Sequence, residues 1–208
     1  MADRLQTLLR RKGVSAGDTI VLYGDKNNWW ATYTFWVLRL FDMANLRIMD
    51  GGRARWVDEG RELSVETPAS PSGDIVVGDR DDSRIHAFRD DILAHVEGKG
   101  HLIDVRSPEE FRGERLHMPD YPNEGALRGG HIPRARNVPW ARAVDPDTHL
   151  FRSAAELRAI YQEEAGASSN RPVVTYCRIG ERSSHTWFVL TCLLGFTECE
   201  NYDGSWTE

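Results

Sequence analysis

The sequence has few cysteines, no excess of positive charge and no long apolar run, and each shortage excludes something. Its 208 residues include three cysteines, Cys177, Cys192 and Cys199, all late in the chain. An odd count without framework spacing excludes a disulfide scaffold and reads as free thiols in a reducing compartment. There is no Cys-x-x-Cys pair, which argues against a structural zinc site. Twenty-six Lys and Arg against thirty-two Asp and Glu leave a formal net charge of −6. That balance excludes a broad nucleic-acid footprint, though not a local basic pocket. The most apolar stretch, Trp29 to Phe41, contains Arg39 and falls short of the roughly 20 residues a membrane-spanning helix needs. Met1-Ala2-Asp3-Arg4-Leu5-Gln6 carries no apolar core of a secretory signal, so a cytoplasmic location is expected, with no membrane partner.

Large apolar groups are plentiful. Seven Trp, seven Phe and six Tyr within a 40% hydrophobic chain supply a buried core and exclude a disordered composition. The length allows one large domain or two small ones.

Two segments share a layout at an offset of 153 positions, from Tyr23 to Tyr176. At that offset, without gaps, Val21 matches Val174, Phe35 matches Phe188, Leu40 matches Leu193, and Asp50-Gly51 matches Asp203-Gly204. Each segment runs strand, polar loop, helix, strand and Asp-Gly turn, so two related α/β units are expected. The first unit has little chain before its strand, and its front half is not represented. The second breaks off after its Asp-Gly turn. Pro68, Pro71, Gly73 and Gly78 mark a linker at 64–84. A short strand is expected within it at 75–77. The expected organisation is therefore a partial unit at 1–63, the linker, and a second unit at 85–208.

In the second unit a helical spacing spans 88–96, and Leu102 to Val105 reads as a buried strand. Ser107, Pro108 and Glu110 form a helix start, with Ser107 as cap. A polar loop covers 113–130, a short strand lies near 135–139, and helices are expected at 154–162 and 183–194, the latter closed by Gly195. Strands alternating with helices imply a parallel sheet covered on both faces.

Cys177 follows the strand Val173 to Tyr176 and precedes a helix, at the carboxyl end where α/β sheets bind ligands. The intervening loop is Arg178-Ile179-Gly180-Glu181-Arg182-Ser183. Its backbone N–H groups can point inward around the sulfur, and Gly180 lets it curl tightly. The helix start and the two arginines, offset partly by Glu181, are expected to lower the thiol pKa. Phosphatases with a cysteine nucleophile place an Arg six positions later, whereas here Arg182 stands at the fifth and Ser183 at the sixth. The shorter cradle suits the extra sulfur of a persulfide better than a phosphate. Cys192 and Cys199 read as structural, His185 as a helix residue rather than a proton partner, His131 as a turn residue, and Arg112 and Arg115 as solvated charges.

Cys177 to Ser183, Asp104 to Phe111, Gly130 to Pro133 and Asn137 to Trp140 resemble rhodanese, and more closely the two-domain thiosulfate sulfurtransferases of bacteria. Asn201 to Trp206 and Leu22 to Asp25 fit that group. The resemblance implies double displacement: a Cys177 thiolate takes the outer sulfur of thiosulfate, releases sulfite and passes the persulfide sulfur to cyanide or a thiol. It implies no metal or organic cofactor. Arg178 and Arg182 would attract the dianionic donor, with Ile179, Gly180, Glu181 and Ser183 completing its pocket. Arg106 mostly pairs with acids in the family and is a lesser candidate contact. Gly24 stands where Cys177 would, which matches a family pattern of one silent and one active unit. The apolar Trp29, Trp30, Phe35 and Trp36 then read as core or interdomain contacts. A mercaptopyruvate donor and a protein-to-protein sulfur relay remain as alternatives. Open edges of an incomplete sheet would favour self-association.

Overall fold

The computed structural model describes residues 1–67, 69–123 and 125–208. Pro68, counted above in the linker, and Glu124 of the polar loop lie outside the described residues. The strands are short, and β-branched residues dominate the first and fifth: Ile20–Leu22 (β1), Leu46–Ile48 (β2), His101–Asp104 (β3), Arg136–Asn137 (β4), Val173–Tyr176 (β5) and Cys199–Tyr202 (β6). All pairings among them are parallel, in the orders β1-β2 and β4-β3-β5-β6. All four residues of β5 are buried, as a strand covered on both faces requires. The helices are Ala2–Arg11 (α1), Trp29–Arg39 (α2), Gly52–Asp58 (α3), Arg89–Ala94 (α4), Pro108–Arg112 (α5), Ala154–Arg158 (α6) and Glu181–Phe188 (α7). Among the described residues no helix is long and apolar enough to cross a membrane.

The repeat extends to register. Ile20 pairs with Leu46 in the first ladder, and Val173 pairs with Cys199 in the second; both partners shift by the same 153 positions. Helices α2 and α7, which match in the repeat, pack face to face. Phe35 and Phe188, which also match, meet edge to face with ring centroids 5.1 Å apart. A single buried cluster runs from Phe35, Trp36, Leu38 and Leu46 to Ile103, Val173, Trp187 and Phe188. The two units therefore share one core. Trp29, Phe35 and Trp36 are buried as expected, whereas Trp30 is half exposed.

The local signals around 107 hold. The Ser107 hydroxyl accepts the Glu110 N–H (3.2 Å), and the Glu110 carboxylate accepts the Ser107 N–H (3.0 Å). Helix α7 begins two residues earlier than expected, widens into a π-type turn over Val189–Leu193, and is followed by Gly195 at φ +75°. The expected strand at 75–77 does not form. Its backbone is taken by side chains of α1: Arg10 Nε donates to the Ile75 carbonyl (2.8 Å), and the Val77 N–H donates to Gln6 Oε1 (3.0 Å). A ladder bond cannot form on groups already engaged this way.

Candidate active site: the loop after β5

The buried strand β5 delivers the chain to Cys177 at the carboxyl edge of the sheet, and the loop 177–180 turns directly into α7. Gly180 makes the turn possible. Its φ is +92°, and a Cβ there would lie 2.6 Å from Asp203 Cα, so the position excludes any side chain. The outer carbonyls of the loop are clamped by the segment after β6. Trp206 N–H donates to the Cys177 carbonyl (3.2 Å), and Thr207 donates to the Arg178 carbonyl through its N–H (3.3 Å) and its hydroxyl (3.0 Å). The Cys177 N–H donates to Ser205 Oγ (3.1 Å), whose own hydroxyl donates to the Tyr202 carbonyl (2.7 Å). With the outer face tied back, the Gly180 N–H turns inward to the sulfur.

The sulfur lies at the bottom of this cradle, and Cys177 is fully buried. Sγ accepts the Gly180 N–H at 3.2 Å and donates to Glu181 Oε2 at 3.2 Å. Behind Glu181 stands a buried ion pair. Arg182 grips Glu110 through both terminal nitrogens, at 2.9 and 3.0 Å, and its Nε lies 3.7 Å from Glu181 Oε1. Burial pushes the Glu110 carboxyl up, but the Arg182 hydrogen bonds and charge outweigh it and hold the group below the usual carboxylate range.

Two expectations need correction. The thiol pKa is raised rather than lowered: burial and the Glu181 carboxylate push it up, against the opposing pull of Arg182 and of the Ser183 and Ile179 N–H groups. Arg182 does not face a donor, because its guanidinium is buried and committed to Glu110. Ser183 is likewise buried, its hydroxyl donating to Asn201 Oδ1 (2.6 Å) while its N–H acts on the sulfur. Arg106 is buried against Asp104 (2.6 Å) and donates to the Gly130 carbonyl (2.7 Å). Arg178 is buried, while Ile179 at the rim is 38% exposed. His131 fixes a turn, its Nδ1 bonding the Phe111 carbonyl (2.9 Å) while its ring stacks on Phe111. His185 packs against Trp140 and Phe151, and burial lowers its pKa to about 3. It is therefore neutral across the physiological range.

Sequence reasoning missed two contributors. Glu110 was legible as a cap but not as the partner of Arg182, seventy-two positions away. His86 was not singled out. Its ring bonds Asp82 through Nδ1 (2.6 Å) and Asp203 through Nε2 (2.8 Å). It thereby ties the linker to the turn beside Gly180. The repeated Asp-Gly turn was the available signal for Asp203. Among the described residues, no group of three or more His, Cys, Asp or Glu side chains could hold a metal ion.

A strand-ended cysteine cradle of this kind defines a class, and the comparisons agree with it. The Rhodanese-like domain profile matches residues 88–208. The sulfur carrier protein TtuD of Thermus thermophilus is 58% identical over 210 residues, covering 99% of this chain and 73% of that protein. A protein of Mycobacterium tuberculosis provisionally named thiosulfate sulfurtransferase SseA is 52% identical over 206 residues, covering 99% of this chain and 68% of its own length. Among solved structures, SseA of Escherichia coli, a 3-mercaptopyruvate sulfotransferase, superposes with a TM-score of 0.78 at 25% identity, covering 99% of this chain and 73% of that one. The chain belongs to the rhodanese family. Its enzyme class is sulfurtransferase.

Proposed function

We propose that the chain is a thiosulfate sulfurtransferase that carries sulfur as a persulfide on Cys177. The observation that carries this reading is the cradle itself: a buried Sγ facing the Gly180 N–H at 3.2 Å, in a loop whose outer carbonyls are tied back. The Cys177 thiolate attacks the outer sulfur of thiosulfate, and the new Sγ–S bond forms as the old S–S bond breaks. The bonding pair leaves with sulfite. The persulfide anion then sits among the inward N–H groups of Ile179, Gly180 and Ser183, which stabilise its charge in a dry site. Cyanide in the assay, or a biological thiol, takes the terminal sulfur and returns the pair to Sγ. Arg178 is the loop cation we assign to donor attraction. Arg182 acts through its field and through holding Glu110 in place. In this reading, residues 1–63 form a silent unit, 64–84 the linker and 85–208 the catalytic unit. The cell compartment we assign is the cytoplasm.

The second reading is a sulfur relay that takes persulfide from a protein and passes it on. It is favoured by the likeness to a protein named as a sulfur carrier. A mercaptopyruvate donor is favoured by the structural likeness to Escherichia coli SseA, while Arg178 beside the cysteine suits thiosulfate better. Intact-mass measurement after incubation with thiosulfate separates the three. A gain of about one sulfur atom (roughly 32 Da), removed by cyanide and absent in Cys177→Ala, supports the first. Gain only with mercaptopyruvate, or only with a persulfidated protein donor, replaces it with the corresponding alternative.

A further inference from the structure

A carboxylate inside the cradle of a sulfur nucleophile demands an explanation. Glu181 is 2% exposed, and its Oε2 is the acceptor of the Cys177 thiol at 3.2 Å. As a fixed negative charge it works against both a thiolate and an anionic donor. The surroundings are arranged to receive negative charge at the sulfur, through the Gly180 N–H and the nearby Arg182. They also leave Glu181 Oε1 no closer than 3.7 Å to Arg182 Nε, beyond hydrogen-bond reach. Arg182 spends its two terminal nitrogens on Glu110 instead. Glu181 is thus kept from a tight ion pair and aimed at the one proton that must move. His185, the nearest imidazole along the helix, is held neutral among aromatic rings.

We infer that Glu181 is the catalytic base of Cys177, taking the thiol proton when sulfur is loaded and returning it when sulfur leaves. The inference rests on Cys177 being the nucleophile proposed above. Loading begins as the proton passes from Sγ to Oε2, leaving a thiolate beside a neutral carboxylic acid. The charge of the pair is unchanged, so nothing has to be neutralised by solvent in the buried site. With the carboxyl neutral, the donor dianion no longer meets a second anion. The thiolate forms its bond to the outer sulfur, and sulfite departs with the electron pair. The proton stays on Glu181, within reach of the persulfide. When an acceptor takes the terminal sulfur, the pair returns to Sγ and the proton follows.

The consequence is a pH signature. The form with the proton on Glu181 Oε2 holds as many protons as the form with it on Sγ, so the reactive form is a constant fraction of the enzyme until the thiol itself titrates. The rate of Cys177 alkylation by iodoacetamide, read by peptide mass so that Cys192 does not interfere, and the rate of sulfur uptake from thiosulfate should both be flat with pH below that point. In Glu181→Gln the proton must leave to water, and both rates should rise about tenfold per pH unit until the thiol titrates. Glu181→Asp should keep the flat profile at a lower rate. A tenfold-per-unit rise in the unaltered chain, with Glu181→Gln faster at every pH, would show that Glu181 only repels. A flat profile accompanied by a full ultraviolet thiolate band would overturn the inference too, because no base is then needed. The unaltered chain decides both points even if a variant fails to fold. A flat alkylation profile without sulfur uptake would sink the thiosulfate reading and leave the role of Glu181 standing.

Discussion

The two strand-end loops occupy the same place in the repeat and do different things. In the first unit the loop is Gly24-Asp25-Lys26-Asn27-Asn28, and in the second it is Cys177-Arg178-Ile179-Gly180-Glu181. In both, the fifth residue turns its side chain back onto the first. Asn28 Oδ1 accepts the Gly24 N–H at 2.9 Å, and Glu181 Oε2 accepts the Cys177 thiol at 3.2 Å. Asn28 is tied again by donating to the Met49 carbonyl (2.8 Å). The first loop reaches outward: Lys26 contacts the Tyr121 hydroxyl and lies over the Tyr121 and Trp29 rings. One loop is therefore a bracket against its neighbour and the other a cradle. The backbone paths differ too: Lys26, Asn27 and Asn28 are all left-handed in the first loop, and Gly180 alone is so in the second. The chemistry depends on what stands at the first and fifth positions.

The largest expected effect breaks the comparison outright. Cys177→Ala should abolish sulfur uptake in intact-mass measurements. Adding Gly24→Cys to that variant should not restore it. The position has room, since a Cβ there comes no nearer than 4.0 Å to Ala31, but the first loop carries no flanking arginine and Asn28 already holds the N–H. Uptake by the thiol introduced in the first loop would show that the position alone makes the nucleophile.

The buried Arg182–Glu110 pair is next, because the first loop offers instead an exposed pair, Asp25 with Arg53 at 3.6 Å. Trp29, an apolar residue, stands in the repeat where Arg182 does. Glu110→Gln leaves the Arg182 cation buried without its partner, which costs about 3–5 kcal/mol. Urea unfolding should register that loss, with sulfur uptake falling alongside it. The backbone comes third. Gly180→Ala places a Cβ against Asp203 in a left-handed conformation, costing roughly 1–2 kcal/mol before the clash is counted. Asn27→Gly, at φ +53° in the first loop, should stay within about 0.5 kcal/mol by the same measurement.

The smallest effect concerns the Asp-Gly turns. Asp50 accepts a backbone N–H from Phe151 (2.9 Å), which does not titrate. Its counterpart Asp203 accepts from His86. Burial pulls the His86 pKa down, but the bonds to Asp203 and Asp82 outweigh it, so the folded value lies above the unfolded one. Such a group stabilises the fold below its unfolded pKa and loses that contribution as pH rises through the folded value. Thermal unfolding temperature should drop modestly from about pH 6 to pH 8 and more steeply than in His86→Gln. Equal slopes would remove His86 from the account.

What was readable along the chain was whatever one segment decides by itself. The strand run at β5, the Ser107-Pro108-Glu110 helix start and the glycine at 180 each follow from neighbours a few positions apart. The repeat was also legible, and its identical ladder register shows why: matched strands must present matched faces. The expected strand at 75–77 failed because Gln6 and Arg10, far away in sequence, claimed its backbone.

By itself, then, the sequence determined the alternation of strands and helices, the place of Cys177 at a strand end, and a loop too short for a phosphatase. Those follow from periodicity, capping and spacing, which are local. Only the tertiary structure decided how the charges are spent. Arg182 turned to Glu110 rather than to a donor, and Glu181 turned to the sulfur. His86 bridged two carboxylates, one from the linker and one from the turn after β6. A buried charge takes whichever partner the fold brings within a few ångströms, and no spacing along the chain encodes that distance.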